Sequence, residues 1–107
     1  YRIAKKRSDE YKENMNKLKS CVKLNNRGMK FEKMGKIAQA IKLYEMNISD
    51  GYPAHHSYKR LMIIYHRQKD YHNERRVIKR ALDVFGDYQE YIQRLSKLDR
   101  MIDKKEV

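Results

Sequence analysis

The stretch Gly35-Lys36-Ile37-Ala38-Gln39-Ala40-Ile41-Lys42-Leu43-Tyr44-Glu45 decides how this chain is read. Gly35 breaks the preceding pattern. Apolar residues then return at Ile37, Ala40, Ile41, Tyr44 and Ile48, the i, i+3, i+4, i+7, i+11 stripe of an amphipathic helix. Its end is Ser49-Asp50-Gly51-Tyr52-Pro53, where Gly51 suits a left-handed cap and Pro53 the first turn of a new helix. Upstream, Tyr11, Met15, Leu18 and Val22 are spaced by four, three and four, which predicts a helix from about residue 8. It runs on into Leu24, Gly28, Phe31 and Met34, because Gly28 alone costs only about 1 kcal/mol relative to Ala and no cap intervenes.

Downstream, Tyr58 and the five consecutive apolar residues Leu61 to Tyr65 cover nearly every side of a helix, so it must be packed on several sides. Asp70 is placed to cap a helix burying Tyr71, Val77, Ile78, Ala81, Leu82 and Phe85, closed by Gly86. Asp87 is placed to cap a last helix with Tyr88, Tyr91, Ile92, Leu95, Leu98 and Ile102 inward, fraying from Asp103. The expectation is an all-α domain of five or six helices, antiparallel where turns are short.

At 107 residues the chain has room for one core. Four Gly, one Pro and a single cysteine exclude collagen-like, Pro-rich and disulfide-stapled classes. Lone Cys21 points to a reducing compartment, and a cytoplasmic location is expected. The longest apolar run, Leu61 to Tyr65, is far too short to span a bilayer, so no membrane partner is expected. Tyr1 to Arg7 has neither an initiating Met nor an apolar signal region, which reads as a segment of a longer protein or a trimmed chain.

An internal period appears at an offset of 34, pairing Leu24 with Tyr58, Phe31 with Tyr65, Ile37 with Tyr71, Leu43 with Val77, Tyr44 with Ile78 and Ile48 with Leu82. No pair in 21–54 against 55–88 is identical, so the period is one of residue class. Leu24, Gly28, Phe31, Gly35, Ala40 and Tyr44 resemble the signature of the tetratricopeptide repeat, a helix-turn-helix unit with this same period. The second unit offers Tyr58, Leu61, Tyr65, Tyr71, Ala81 and Leu82, but Met62 and Glu74 stand where small residues are usual and Lys69 replaces the turn glycine. Asn47 occupies an Ala position of the first unit. The resemblance implies antiparallel helical hairpins stacked as a short right-handed α-solenoid: residues 1–20 a capping helix, 21–54 and 55–88 two repeats, and 88–107 a closing helix and tail. A larger Met or Glu at a close-approach position is expected to tilt away at modest cost.

Of the 26 Lys+Arg against 14 Asp+Glu, eight basic and two acidic residues lie between His55 and Leu82. Asn25, Met29, Lys59, Arg60, Ile63, His66 and Arg67 are expected to line the groove that the family resemblance implies. Arg75, Arg76, Lys79 and Arg80 share an outer helix face by spacing. The partner expected is an acidic peptide or protein segment. A nucleic-acid-associated accessory domain is the rival reading, disfavoured because the cations divide between two faces. Self-association through an open end is a third. A carboxylate clamp, as some members of the family build, would use Asn25, Asn26, Lys59 and Arg60, but Met29 and Ile63 replace its polar partners. The four histidines lack metal-site spacing, and no phosphate loop, nucleophile elbow or carboxylate pair is present, so neither cofactor, metal nor enzymatic activity is expected.

Overall fold

The computed structural model describes the backbone of residues 2–106 and the side chains of residues 8–104. Among them there are helices and turns and no strand: α1 (Arg2–Lys33), α2 (Ile37–Asp50), α3 (His55–Arg67), α4 (Tyr71–Phe85) and α5 (Gln89–Glu106). Each helix packs on the next. Contacts of Gly28 with Tyr44 and Cys21 with Asn47 set α1 antiparallel to α2; His66 with Glu74 and His55 with Phe85 do the same for α3 and α4. Alternate helices are also joined, α1 to α3 through Asn25–Ser57 and Glu32–Arg60, and α2 to α4 through Glu45–Arg76 and the Ile48 carbonyl–Arg80. Along both pairs the residue numbers rise together, so these alternate helices run parallel. The result is an elongated body of 64 × 34 × 16 Å.

The two turns that make the hairpins are the same structure. In the first, amide-to-carbonyl bonds run Met34 to Lys30 (3.2 Å), Gly35 to Glu32 (3.0 Å), Lys36 to Phe31 (2.9 Å) and Ala40 to Lys36 (3.1 Å). One period on, they run Gln68 to Ile64 (3.0 Å), Lys69 to His66 (3.0 Å), Asp70 to Tyr65 (2.9 Å) and Glu74 to Asp70 (3.1 Å). Lys36 and Asp70 share a φ of −89° with ψ of 68° and 71°. Gly35 has φ 75°, and Lys69 is forced to 58°, a left-handed conformation that costs a side-chain-bearing residue about 1–2 kcal/mol. Asp70 caps α4 as expected, accepting from the Asn73 amide.

The core gathers Ala40, Tyr44, Ile48, Tyr58, Leu61, Met62, Ile64, Tyr65, Val77, Ile78, Ala81, Tyr91 and Leu98. Its centre is α3, whose Tyr58, Leu61, Met62, Ile64 and Tyr65 are all buried, with Ile63 partly exposed. Gly28 is required by a close approach, since a Cβ there would lie 2.5 Å from the Tyr44 ring. Met62, its counterpart one period on, faces a core in which Ile78 replaces Tyr44, and both are fully buried. Large against small in one hairpin becomes medium with medium in the other.

Several expectations are corrected. Glu74 does not tilt away; it is 2% exposed, bonded to His66. Asn47 is buried too: its Nδ2 lies 3.1 Å from the Cys21 carbonyl and 3.0 Å from both Asn25 Oδ1 and Ser57 Oγ, pinning three helices together. The unbroken helix expected through Val22 and Gly28 is α1, but it starts at Arg2 rather than near residue 8, and Tyr11, Leu18 and Val22 on it are exposed. At 1.5 Å per residue α1 is about 48 Å long and α2 about 21 Å, so α2 can cover only its rear half. Pro53 stays outside α3, which starts at His55 after an extended Ala54. Helix α5 begins at Gln89, making Tyr88 rather than Asp87 the capping position, and it stays helical past Asp103 to Glu106.

Lys69→Gly is expected to stabilise the protein by about 0.5–1 kcal/mol in denaturant unfolding, the relief of the left-handed strain less the entropy that glycine adds to the unfolded chain. Gly28→Ala is expected to destabilise it by roughly 1 kcal/mol, because overpacking against Tyr44 outweighs the helix propensity gained.

Candidate functional site

The residues expected to line a groove divide into committed and free groups. Arg60 is committed: its Nε lies 2.9 Å from Glu32 Oε1 and its Nη2 2.5 Å from Oε2, and Tyr44 donates to the same carboxylate at 2.7 Å. Glu32 thereby joins α1, α2 and α3. Asn25 is spent on Ser57, Asn47 and Cys21 Sγ. Lys59 reaches Glu90 at 3.2 Å, tying α3 to α5. Met29 and Arg67 face solvent, Ile63 is half-buried, and His66 is exposed with its Nδ1 2.9 Å from Glu74.

The four residues assigned to a basic outer face are not a free patch. Arg75 pairs with Asp99 at 2.9 Å, Arg76 with Glu45, and Arg80 donates to the carbonyls of Ile48 (3.0 Å) and Ser49 (3.2 Å). Helix α4 lies between α2 and α5, so its arginines serve as clasps to both. Lys79 alone of the four is exposed without a partner among the described residues.

A cleft of 420 Å³ opens between α3 and α5, lined by His66, Glu74, Glu90, Gln93, Arg94, Lys97, Leu98 and Met101. Of the expected groove residues only His66 lines it; Lys59 meets it through Glu90. Both of its carboxylates are engaged, Glu90 with Lys59 and Glu74 with His66 and, at 3.7 Å, Arg94. Arg94 stands one period after Arg60, and each guanidinium meets a carboxylate, supplied by the first helix of one hairpin (Glu32) and the second helix of the other (Glu74). Gln93, Arg94, Lys97 and Met101 escape a sequence reading that ends the period at residue 88. One more step of the same period from Lys59, Arg60, Ile63 and Arg67 names all four. With an apolar floor of Leu98 and Met101 and charged walls, the cleft can seat an apolar side chain flanked by polar groups. It holds no nucleophile–base pair. Among the described residues no three His, Cys, Asp or Glu side chains converge to hold a metal, and no helix is long and apolar enough to cross a membrane.

Free positive charge collects elsewhere. Lys12, Lys19, Lys23, Arg27 and Lys30 form an exposed row along α1 and make no ion pair among the described residues. Comparison with protein families, curated proteins and solved structures found no match to this chain.

The site's charges carry a pH signature. The Arg60 hydrogen bond, seconded by Tyr44, holds the Glu32 carboxyl below its ordinary value. Its contribution is therefore full above the ordinary carboxylate pKa and is lost as pH falls through the folded-state value. Glu32→Gln is expected to lower the neutral-pH melting temperature and flatten its decline below about pH 4.5. Burial pushes the phenols of Tyr44, Tyr65 and Tyr91 up, so their stabilisation is present below about pH 10 and lost as pH rises beyond it. Absorbance titration at 295 nm should show exposed tyrosines ionising first and these three only together with loss of helical circular dichroism.

Proposed function

We propose that this chain is a non-enzymatic protein-interaction module: a short right-handed stack of tetratricopeptide-like hairpins that engages an acidic peptide or protein segment. The observation that carries the reading is the turn at Gly35, four of whose backbone hydrogen bonds recur around Lys69 with the period of that family's unit. α1–α2 and α3–α4 are then the two units, and α5 is the first helix of a third that closes the stack. Supporting this, Tyr91, Ile92, Leu95 and Leu98 stand one period after Ser57, Tyr58, Leu61 and Ile64, and Tyr91 and Leu98 are buried as Ser57 and Ile64 are.

The groove belongs between α3 and α5. Its carboxylates are already engaged, Glu90 with Lys59 and Glu74 with Arg94 and the His66 ring, which leaves exposed Arg67 and Lys97 to attract an anionic segment while Leu98 and Met101 take an apolar side chain. Buried, unpaired Cys21 suits a reducing, cytoplasmic setting. The α1 cation row favours a second reading, a nucleic-acid-associated accessory domain, since phosphate binding needs cations tracked along one surface.

Affinity purification with quantitative mass spectrometry should recover proteins bearing acidic segments, and raising salt above about 0.15 M should release them as exposed charges are screened. Arg67→Glu combined with Lys97→Glu should reduce capture at least tenfold with helicity unchanged. Recovery of nothing but nucleic acid refutes the proposal in favour of the second reading.

A further inference from the structure

The face of α3 that meets the first hairpin has a counterpart on α1 with nothing upon it among the described residues. On α3, the His56 ring lies 5.8 Å from that of Tyr44, Ser57 bonds Asn25 and Asn47, Arg60 grips Glu32, and Leu61 and Ile64 are buried. One period before these five stand Val22, Lys23, Asn26, Arg27 and Lys30, all exposed. Val22 is 47% exposed, and Leu18 (38%), Met29 (40%) and Tyr11 (66%) extend the same strip. A shallow depression of 530 Å³ is lined by Leu18, Lys19, Val22, Lys23, Asn26 and Arg27.

We infer that this face of α1 is a second docking surface, for an acidic amphipathic helix of another protein, laid along the strip from Tyr11 to Met29. The inference rests on the interaction-module reading and adds a site to it. The fold itself demonstrates the mode: in α3 the same helix face takes up a helical hairpin. Charge selects the partner. Where α3 presents Ser57, Leu61 and Ile64, α1 presents Lys23, Arg27 and Lys30, and Lys12 and Lys19 continue the row. A partner with carboxylates beside its apolar stripe satisfies both strips at once. A second copy would set this cation row against itself. Nucleic acid would pair the cations and leave Tyr11, Leu18, Val22 and Met29 in water. Tyr11 to Met29 spans about 27 Å at 1.5 Å per residue, the reach of a five-turn helix.

The test is selection from a phage library of helix-scaffolded peptides, each about five turns long, against the whole chain, followed by fluorescence anisotropy with the enriched peptides. Enriched sequences should carry apolar residues at i, i+3, i+4 and i+7 with net negative charge. Val22→Asp, and separately Lys23→Glu with Arg27→Glu, should each weaken binding at least tenfold, while Arg67→Glu with Lys97→Glu leaves it unchanged. All these residues are exposed, and circular dichroism checks that helicity is kept. If enriched peptides respond only to Arg67→Glu with Lys97→Glu, the module reading stands and the α1 site falls. If no peptide is enriched, both fall. Three other results overturn the α1 proposal: enriched peptides without acidic bias, duplex DNA retained through the lysine row regardless of Val22→Asp, or a light-scattering mass that doubles with concentration and reverts on Val22→Asp.

Discussion

Helix α3 gives one broad apolar face to the core and keeps Lys59, Arg60, Ile63, His66 and Arg67 on its other side. Tyr58, Leu61, Met62, Ile64 and Tyr65 are buried across a broad arc of it, so more than one neighbour must stand against that arc before all of them are satisfied. Each buried aliphatic side chain contributes roughly 1.5–3 kcal/mol of transfer free energy, and α3 supplies more members of the buried core than any other helix. The other elements follow from it. α1 and α2 cover one side, α4 another, and α5 closes the end through Tyr91 and Leu98, with Lys59–Glu90 as its clasp.

Around that helix the two hairpins solve one geometric problem with different residues. The turn backbone is repeated while its side chains change, so Lys69 carries a left-handed strain that Gly35 avoids. Gly28 under Tyr44 is exchanged for Met62 with Ile78. The carboxylate that meets the interhelical arginine moves from Glu32 on a first helix to Glu74 on a second. A residue that departs from the pattern in isolation, such as Glu74, is accommodated because its surroundings in the second hairpin have changed with it. Buried Asn47 departs without such a counterpart and is satisfied instead by three oxygen acceptors on two neighbouring helices.

Charge is organised by the same logic. The arginines of α4 look like a basic face in sequence because they share a helical side; in the folded chain they reach sideways to Asp99, Glu45 and the end of α2. An arginine is long enough to cover apolar surface and still find a carboxylate or carbonyl on the next helix. Exposed and without an ion pair among the described residues are the row on α1, Lys79 on α4, and Arg67 and Lys97.

Periodicity determined a great deal by itself. Helix number, the turns at Gly35 and Gly51 and the Asp70 cap are local or near-local consequences of where apolar residues, Gly and Asp fall, whereas the run Leu61 to Tyr65, expected to be covered nearly all round, keeps Ile63 partly exposed. Which groups are free was not legible, because a cation's partner lies far along the chain, across a helix interface that no local pattern encodes. Arg60 and Asn25 look like groove donors in sequence, yet tertiary packing brings Glu32, Asn47 and Ser57 against them. Exposure of the α1 strip was likewise decided in three dimensions. A stripe of Tyr11, Leu18 and Val22 specifies a helix that wants a neighbour, but α1 turns its Cys21 and Gly28 side to α2 and leaves the stripe exposed.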